Sequence, residues 1–159
     1  MFNSTFVVSH FYKKANLCLA LFALITLSAC GGKSYPFVYL SSVTMVADQD
    51  ANINSVIPFD VVIACDGPLF DEISKLTGKD YYQRREQLVL DHPQKLQVVP
   101  FELDPGQTIN HKLKRKCLRR KGALLFAGYS TAGTHRMRVA NQRHLKVRLK
   151  NQNMIIEGK

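Results

Sequence analysis

Short apolar runs closed by turn signals recur along the chain, and that rhythm points to paired strands rather than a helical bundle. The clearest case is His144-Leu145-Lys146-Val147-Arg148-Leu149, where apolar and charged residues alternate. A side-chain period of two puts Leu145, Val147 and Leu149 on one face and the cations on the other, the pattern of a half-buried antiparallel strand. Residues 37–47 and 56–65 (VIPFDVVIAC) are β-prone in the same way, the second with Pro58 near its start, where a missing donor is tolerated. Residues 122–129 are small and apolar, suited to a buried strand, and 134–140 and 153–157 complete the set. Between the first two strands, residues 48–55 (DQDANINS) read as an exposed polar loop.

A helical insertion is expected after residue 65. Asp66 is a candidate N-cap with Pro68 in the first turn, and Leu69, Ile73 and Leu76 follow at helical spacing. Gly78 is a natural stop. Residues 79–87 resume as a second helical piece with Tyr81 and Tyr82 facing the core or a groove. Residues 88–90 and 96–103 read as strands flanking the turn Asp91-His92-Pro93, and Asp104-Pro105-Gly106-Gln107 is a further turn. The sum is a mainly β chain, a two-sheet sandwich with a short helical insertion after the second strand.

The first residues have a different character. Lys13 and Lys14 precede an apolar run over 17–27 and then small residues, with no acid among them. That is the order of a secretory signal, and the run is about half the ~20 residues a spanning helix needs. Leu27-Ser28-Ala29-Cys30 resembles the lipobox of bacterial lipoproteins. The resemblance implies removal of residues 1–29, a diacylglyceryl thioether on Cys30 and acylation of its new amino group. Two or more acyl chains hold stably where one binds only marginally. The alternative is an ordinary signal cut near Ala29 that leaves Cys30 a plain thiol. Gly31, standing where enteric-type sorting would read an Asp, implies the periplasmic face of the outer membrane. Residues 30–36 are then a tether and 37–159 a single domain. No cofactor is expected beyond the covalent lipid on Cys30.

Residues 30–159 hold 20 basic and 12 acidic residues, a net charge of +8. The charge concentrates in Lys112, Lys114, Arg115, Lys116, Arg119, Arg120 and Lys121, and again over 136–150. Export argues against nucleic acid as a partner. A solvated basic surface is the first reading and a contact with anionic lipid headgroups or an acidic partner the second. Cys65 and Cys117 form an even pair in a compartment that permits disulfides. A bridge would close a 52-residue loop, worth about 4 kcal/mol in the chain-entropy model. The alternative is two thiols, with Cys117 exposed among cations that favour its thiolate. An exposed reactive thiol is a liability in an oxidising space, which favours the bridge.

No catalytic constellation is visible. Gly128-Tyr129-Ser130-Thr131-Ala132-Gly133 has the wrong spacing for a nucleophile elbow. His92, His111, His135 and His144 are scattered without metal-ligand spacing. Asp66, Asp71 and Glu72 read as helix-start acids favoured by the dipole. These features point away from an enzyme and from a metal site.

Taken together, the pieces resemble the TssJ (VasD, SciN) lipoproteins of type VI secretion systems. Phe59-Asp60-Val61-Val62-Ile63 is similar to the family's hydrophobic second strand, and Lys79-Asp80-Tyr81-Tyr82 to its acidic-aromatic helix. Leu103-Asp104-Pro105-Gly106-Gln107 is similar to its turn, and 122–129 followed by His135-Arg136-Met137-Arg138 to its late strands. The cationic run with Cys117 falls outside the pattern. The resemblance implies a transthyretin-like β-sandwich and a structural role. In that role an outer-membrane lipoprotein binds the periplasmic part of the inner-membrane protein TssM and holds the secretion apparatus. It also implies that the first interstrand loop, here Asp48, Gln49, Asp50, Asn52 and Asn54, contributes to partner binding; the plainer reading is a solvated connection. The competing function is a lipid-anchored periplasmic module whose basic face binds acidic glycans, lipids or a protein.

Overall fold

The computed structural model describes residues 35–158, so the expected leader, Cys30 and most of the expected tether lie outside the described residues. Among the described residues, eight strands form two four-stranded sheets. In chain order they are β1 (Ser42–Ala47), β2 (Ile57–Ala64), β3 (Leu96–Leu103), β4 (Thr108–Lys112), β5 (Gly122–Ala127), β6 (Arg136–Arg138), β7 (His144–Leu149) and β8 (Met154–Glu157). Helices α1 (Gly67–Ile73) and α2 (Gly78–Asp91) lie between β2 and β3. One sheet has the order β4-β1-β7-β8 and the other β3-β2-β5-β6. β1 and β7 run parallel, and every other pair is antiparallel.

The burial pattern follows from how each sheet is covered. Leu145, Val147 and Leu149 of β7 join Val43 and Met45 of β1 against Phe59, Val61 and Ile63 of β2 and Leu125 of β5. The alternate residues of the first sheet reach solvent. β2 and β5 are covered twice, because their other face meets the helices: Val62, Leu124 and Phe126 pack with Leu69, Phe70, Ile73 and Tyr81. Strands buried on both faces need apolar residues at nearly every position, which is why VVIA and GALLFA do not alternate.

The helices start at side-chain caps. Asp66 accepts from the Leu69 N–H at 3.2 Å. Thr77 and Asp80 form a reciprocal capping box, so Gly78 opens α2 where a stop was expected. Residues 88–90 are not a strand but the last turn of α2: the box sets a helix that continues to Asp91, burying Leu88 while Leu90 stays exposed. β4 (TINHK) is an edge strand of mostly polar residues, and no apolar run announced it.

The registers give the sandwich two distinct ends. Ala47, Ile57, Leu103, Thr108, Ala127 and Leu149 lie at one end, which carries loops 48–56, 104–107, 128–135 and 150–153. Ser42, Ala64, Leu96, Lys112, Gly122 and His144 lie at the other. There the chain enters at residues 35–41, and the cationic segment 113–121 crosses from one sheet to the other.

Candidate functional site

Loop 48–56 is short on regular structure and rich in ties to its neighbours. The Asp48 N–H donates to Leu149 O at 2.8 Å, and the Asp48 carbonyl accepts from Ala51 and Gly106 at 3.0 and 3.1 Å. Its carboxylate pairs with Arg148 Nη1 at 2.8 Å. The Asp50 carbonyl accepts from Asn151 Nδ2 at 3.0 Å. A 3-10 turn over Ala51–Ile53 then leads into three consecutive left-handed residues, Asn52, Ile53 and Asn54, with φ of 48, 56 and 57°. Asparagine adopts this region readily, but a β-branched residue does so only under constraint, at a cost of about 1–3 kcal/mol.

The constraint is Asn52. Its side chain is buried at 3% exposure. Nδ2 donates to Val56 O at 3.0 Å, and Oδ1 accepts from the Ser130 N–H at 2.8 Å and Ser130 Oγ at 3.0 Å. These bonds clamp the loop on itself and onto loop 128–135. What the clamp holds outward is apolar: Ile53 is 53% and Val56 46% exposed. Backbone strain spent on exposing a hydrophobic side chain brings the folded monomer no burial, and such outliers concentrate at contact sites.

The five loop residues expected to meet a partner therefore divide. Gln49, Asp50 and Asn54 are exposed, and Asp48 is half-buried in its ion pair. Asn52 faces inward and positions the loop. Ile53 and Val56 take its place at the surface; their signal in the sequence was two β-branched residues in an otherwise polar stretch.

Beside the loop an open groove of about 880 Å³ runs between the start of α2 and residues 128–135, lined by Thr77, Lys79, Tyr82, Tyr129 and His135. Its wall is fixed by Tyr129, whose hydroxyl donates to Asn153 O at 2.6 Å, and by His135, whose Nε2 lies 2.8 Å from Thr131 O. Burial raises the Tyr129 phenol above its ordinary range. Among the described residues no three His, Cys, Asp or Glu side chains cluster to hold a metal.

The most buried charge has an architectural part. Asp60 accepts from Tyr81 Oη at 2.7 Å and Arg85 Nε at 2.6 Å. Tyr81 stacks on Phe126 with centroids 4.0 Å apart. Burial, then the Asp60 charge, pushes the Tyr81 phenol far above its ordinary value, so it stays a donor. The cluster pins α2 to β2 and β5.

The cationic segment is also divided by the structure. Lys112, Lys114, Arg115, Lys116 and Arg119 are exposed, and Lys121 is half-buried with Nζ 4.7 Å from the Phe37 ring centroid. Arg120 does not belong to the basic surface. Its guanidinium is buried and donates to the carbonyls of Leu40 and Lys114, a use that suits its planar fork of donors. Burial, then the Arg115 charge, lowers its pKa. Cys65 and Cys117 are bridged, with Cα atoms 6.0 Å apart, which ties the segment to the end of β2.

Comparison with protein-family models and with curated sequences returns no match. Solved structures do match. The T6SS lipoprotein TssJ1 from Pseudomonas aeruginosa superposes with a TM-score of 0.54 at 19% identity, over 78% of this chain and 98% of that one. The chain has the TssJ fold. Serratia marcescens Lip, described as a membrane-bound component of the type VI secretion system, gives a TM-score of 0.50 at 12% identity, over 75% and 98%. A chain in a structure described as the T6SS protein TssM C-terminal domain gives 0.51 at 9%, over 75% and 98%. Because nearly the whole of each TssJ-like chain is matched, the likeness is one of complete domains. In this fold loop 48–56 is the β1–β2 connection.

Proposed function

We propose that this protein is the outer-membrane lipoprotein of a type VI secretion membrane complex. Cys30 carries the lipid, and loop 48–56 binds the periplasmic part of a TssM-like inner-membrane protein. The observation that carries the reading is the loop itself: a strained, clamped connection that presents Ile53 and Val56 to solvent. An apolar side chain held rigid before contact suits an anchor that fills a partner's pocket, since ordering it on binding would cost affinity. The lipid then acts by confinement, raising the local concentration of the loop near its partner without adding a contact. The TssJ fold and the lipobox-like Leu27-Ser28-Ala29-Cys30 support the same assignment.

The test is a pair of variants in cells that depend on this protein for secretion. Cys30→Ser should release the protein from the membrane fraction and stop secretion while the domain still folds. Ile53→Asp should leave it in the membrane but prevent co-purification of the TssM-like protein. Normal secretion with a soluble Cys30→Ser protein would overturn the anchoring role, and unchanged co-purification with Ile53→Asp would overturn the docking surface.

A further inference from the structure

The end of the sandwich opposite loop 48–56 has its own chemistry. Residues 105–156 contain thirteen Lys or Arg and no Asp or Glu, so nothing in that stretch neutralises the segment 113–121. Three acids do come to this end from elsewhere, each with a partner: Asp66 caps α1, Asp71 accepts from Tyr35 Oη at 2.7 Å, and Asp91 at the end of α2 accepts from Gln87 Nε2 at 2.6 Å. Amid the cations stands Leu118, 89% exposed, on a loop whose register the Cys65–Cys117 bridge fixes one residue away. Phe37 and Tyr39 are exposed on the same side; Phe37 lies under Arg119 and Lys121, and the Tyr39 N–H is held by Asn141 Oδ1 at 3.0 Å.

We infer that this end is a contact surface for an anionic phospholipid bilayer, with Leu118, Phe37 and Tyr39 entering the headgroup region and Arg115, Lys116 and Arg119 meeting lipid phosphates. Three facts favour a bilayer over a protein or glycan. The apolar residues are few and scattered among cations, which suits an interface where rings and a leucine sit at headgroup depth better than a packed protein interface. Lysine and arginine near an anionic leaflet attract it additively. The third fact rests on the anchoring proposed above: Cys30 is seven residues before Phe37, and a chain spans at most about 3.6 Å per residue. A lipid on Cys30 therefore keeps this end within about 25 Å of the leaflet. The consequence is orientation. With this end on the membrane, loop 48–56 points away from it, toward the space from which a partner rooted in another membrane would arrive.

The experiment separates the surface from the anchor. Full-length protein is exported with Cys30→Ser, so no acyl chain contributes, and mixed with vesicles of phosphatidylglycerol and phosphatidylethanolamine or of phosphatidylcholine alone. Flotation should show binding to the anionic vesicles that weakens with salt. Each cation is worth roughly fivefold in partitioning, so Lys116→Glu with Arg119→Glu should lower binding at least about tenfold. The chain has no tryptophan, so Leu118→Trp gives a single reporter; its emission should shift to the blue on anionic vesicles and be quenched by brominated lipid. Ile53→Trp at the other end should show neither effect. Equal binding to neutral vesicles, no effect of charge reversal, an unshifted Leu118→Trp emission, or capture by a soluble acidic polysaccharide with no vesicle binding would each overturn the inference. Failure here with lipidation and TssM binding intact leaves the proposed function standing. Absent lipidation with vesicle binding intact removes the anchor alone.

Discussion

The two ends of this sandwich are held in shape by different means. At the loop end, rigidity comes from hydrogen bonds: Asn52 alone ties Val56 and Ser130, and Asp48 ties Ala51, Gly106 and Arg148. At the basic end a covalent bridge and one buried guanidinium join the backbone hydrogen bonds of Leu113, Arg120 and Lys121, with most of the charge left in solvent. The difference follows from composition. A polar loop of Asp and Asn can satisfy its own backbone. A run of like charges repels itself, and 113–121 is kept on the fold by the cross-link, by the inward-turned arginine and by ties at its margins, where Leu113 is buried and Gln97 Nε2 donates to Lys114 O at 3.0 Å.

If the ends are independent, damage to one should leave the other working. The largest effect is expected for Cys65→Ser: opening a 52-residue loop should cost about 4 kcal/mol in urea denaturation, while affinity of the remaining folded protein for its partner stays within twofold. A larger loss of affinity would mean the ends are coupled. Next is Asp60→Ala, which strips the acceptor from Tyr81 and Arg85 midway between the ends. Because Arg85 is partly exposed, the cost should be about 2–3 kcal/mol, below that of a fully buried pair. Both ends should suffer alike in hydrogen exchange.

Ile53 sharpens the contrast in a different way, because its conformation and its contact can be separated. Ile53→Asn should relieve left-handed strain and raise stability by up to about 1 kcal/mol, while losing an apolar anchor should weaken partner binding about thirtyfold. Titration calorimetry together with thermal melts would read both; a drop in stability would show that the strain argument is wrong.

The smallest effect is the pH response of the strand that connects the ends. Arg148 and Lys146 hydrogen-bond to Glu157 and hold its carboxyl down at about 2. Its folded value is depressed, so its contribution to stability is complete above the unfolded value of 4.5 and is lost as pH falls toward 2. Denaturation at pH 5 and pH 2.5 should therefore differ less in Glu157→Gln than in the natural protein, with no effect between pH 6 and 8.

Several elements were readable locally because one short-range rule decided them. The alternation in 144–149 put the correct residues of β7 inside, and Asp66 with Pro68 placed the start of α1. Residues 88–90 misled because Leu-Val-Leu has strand propensity, whereas the capping box eleven residues earlier had already committed the chain to a helix. β4 was silent: an edge strand with both faces partly wet needs no apolar run, only a neighbour to pair with.

By itself the sequence determined the class of fold, the covered strands and their turns, because burial on one face or two is written in side-chain period. It also determined that charge gathers in one stretch. Only the tertiary structure decided which members of each polar group face outward. Arg120 and Asn52 look like their neighbours in sequence, yet each is turned inward by acceptors and donors supplied from strands and loops far along the chain. In turning inward they leave Leu118 and Ile53 outside, one at each end, and composition cannot foretell that because the partners that draw a polar side chain in are non-local.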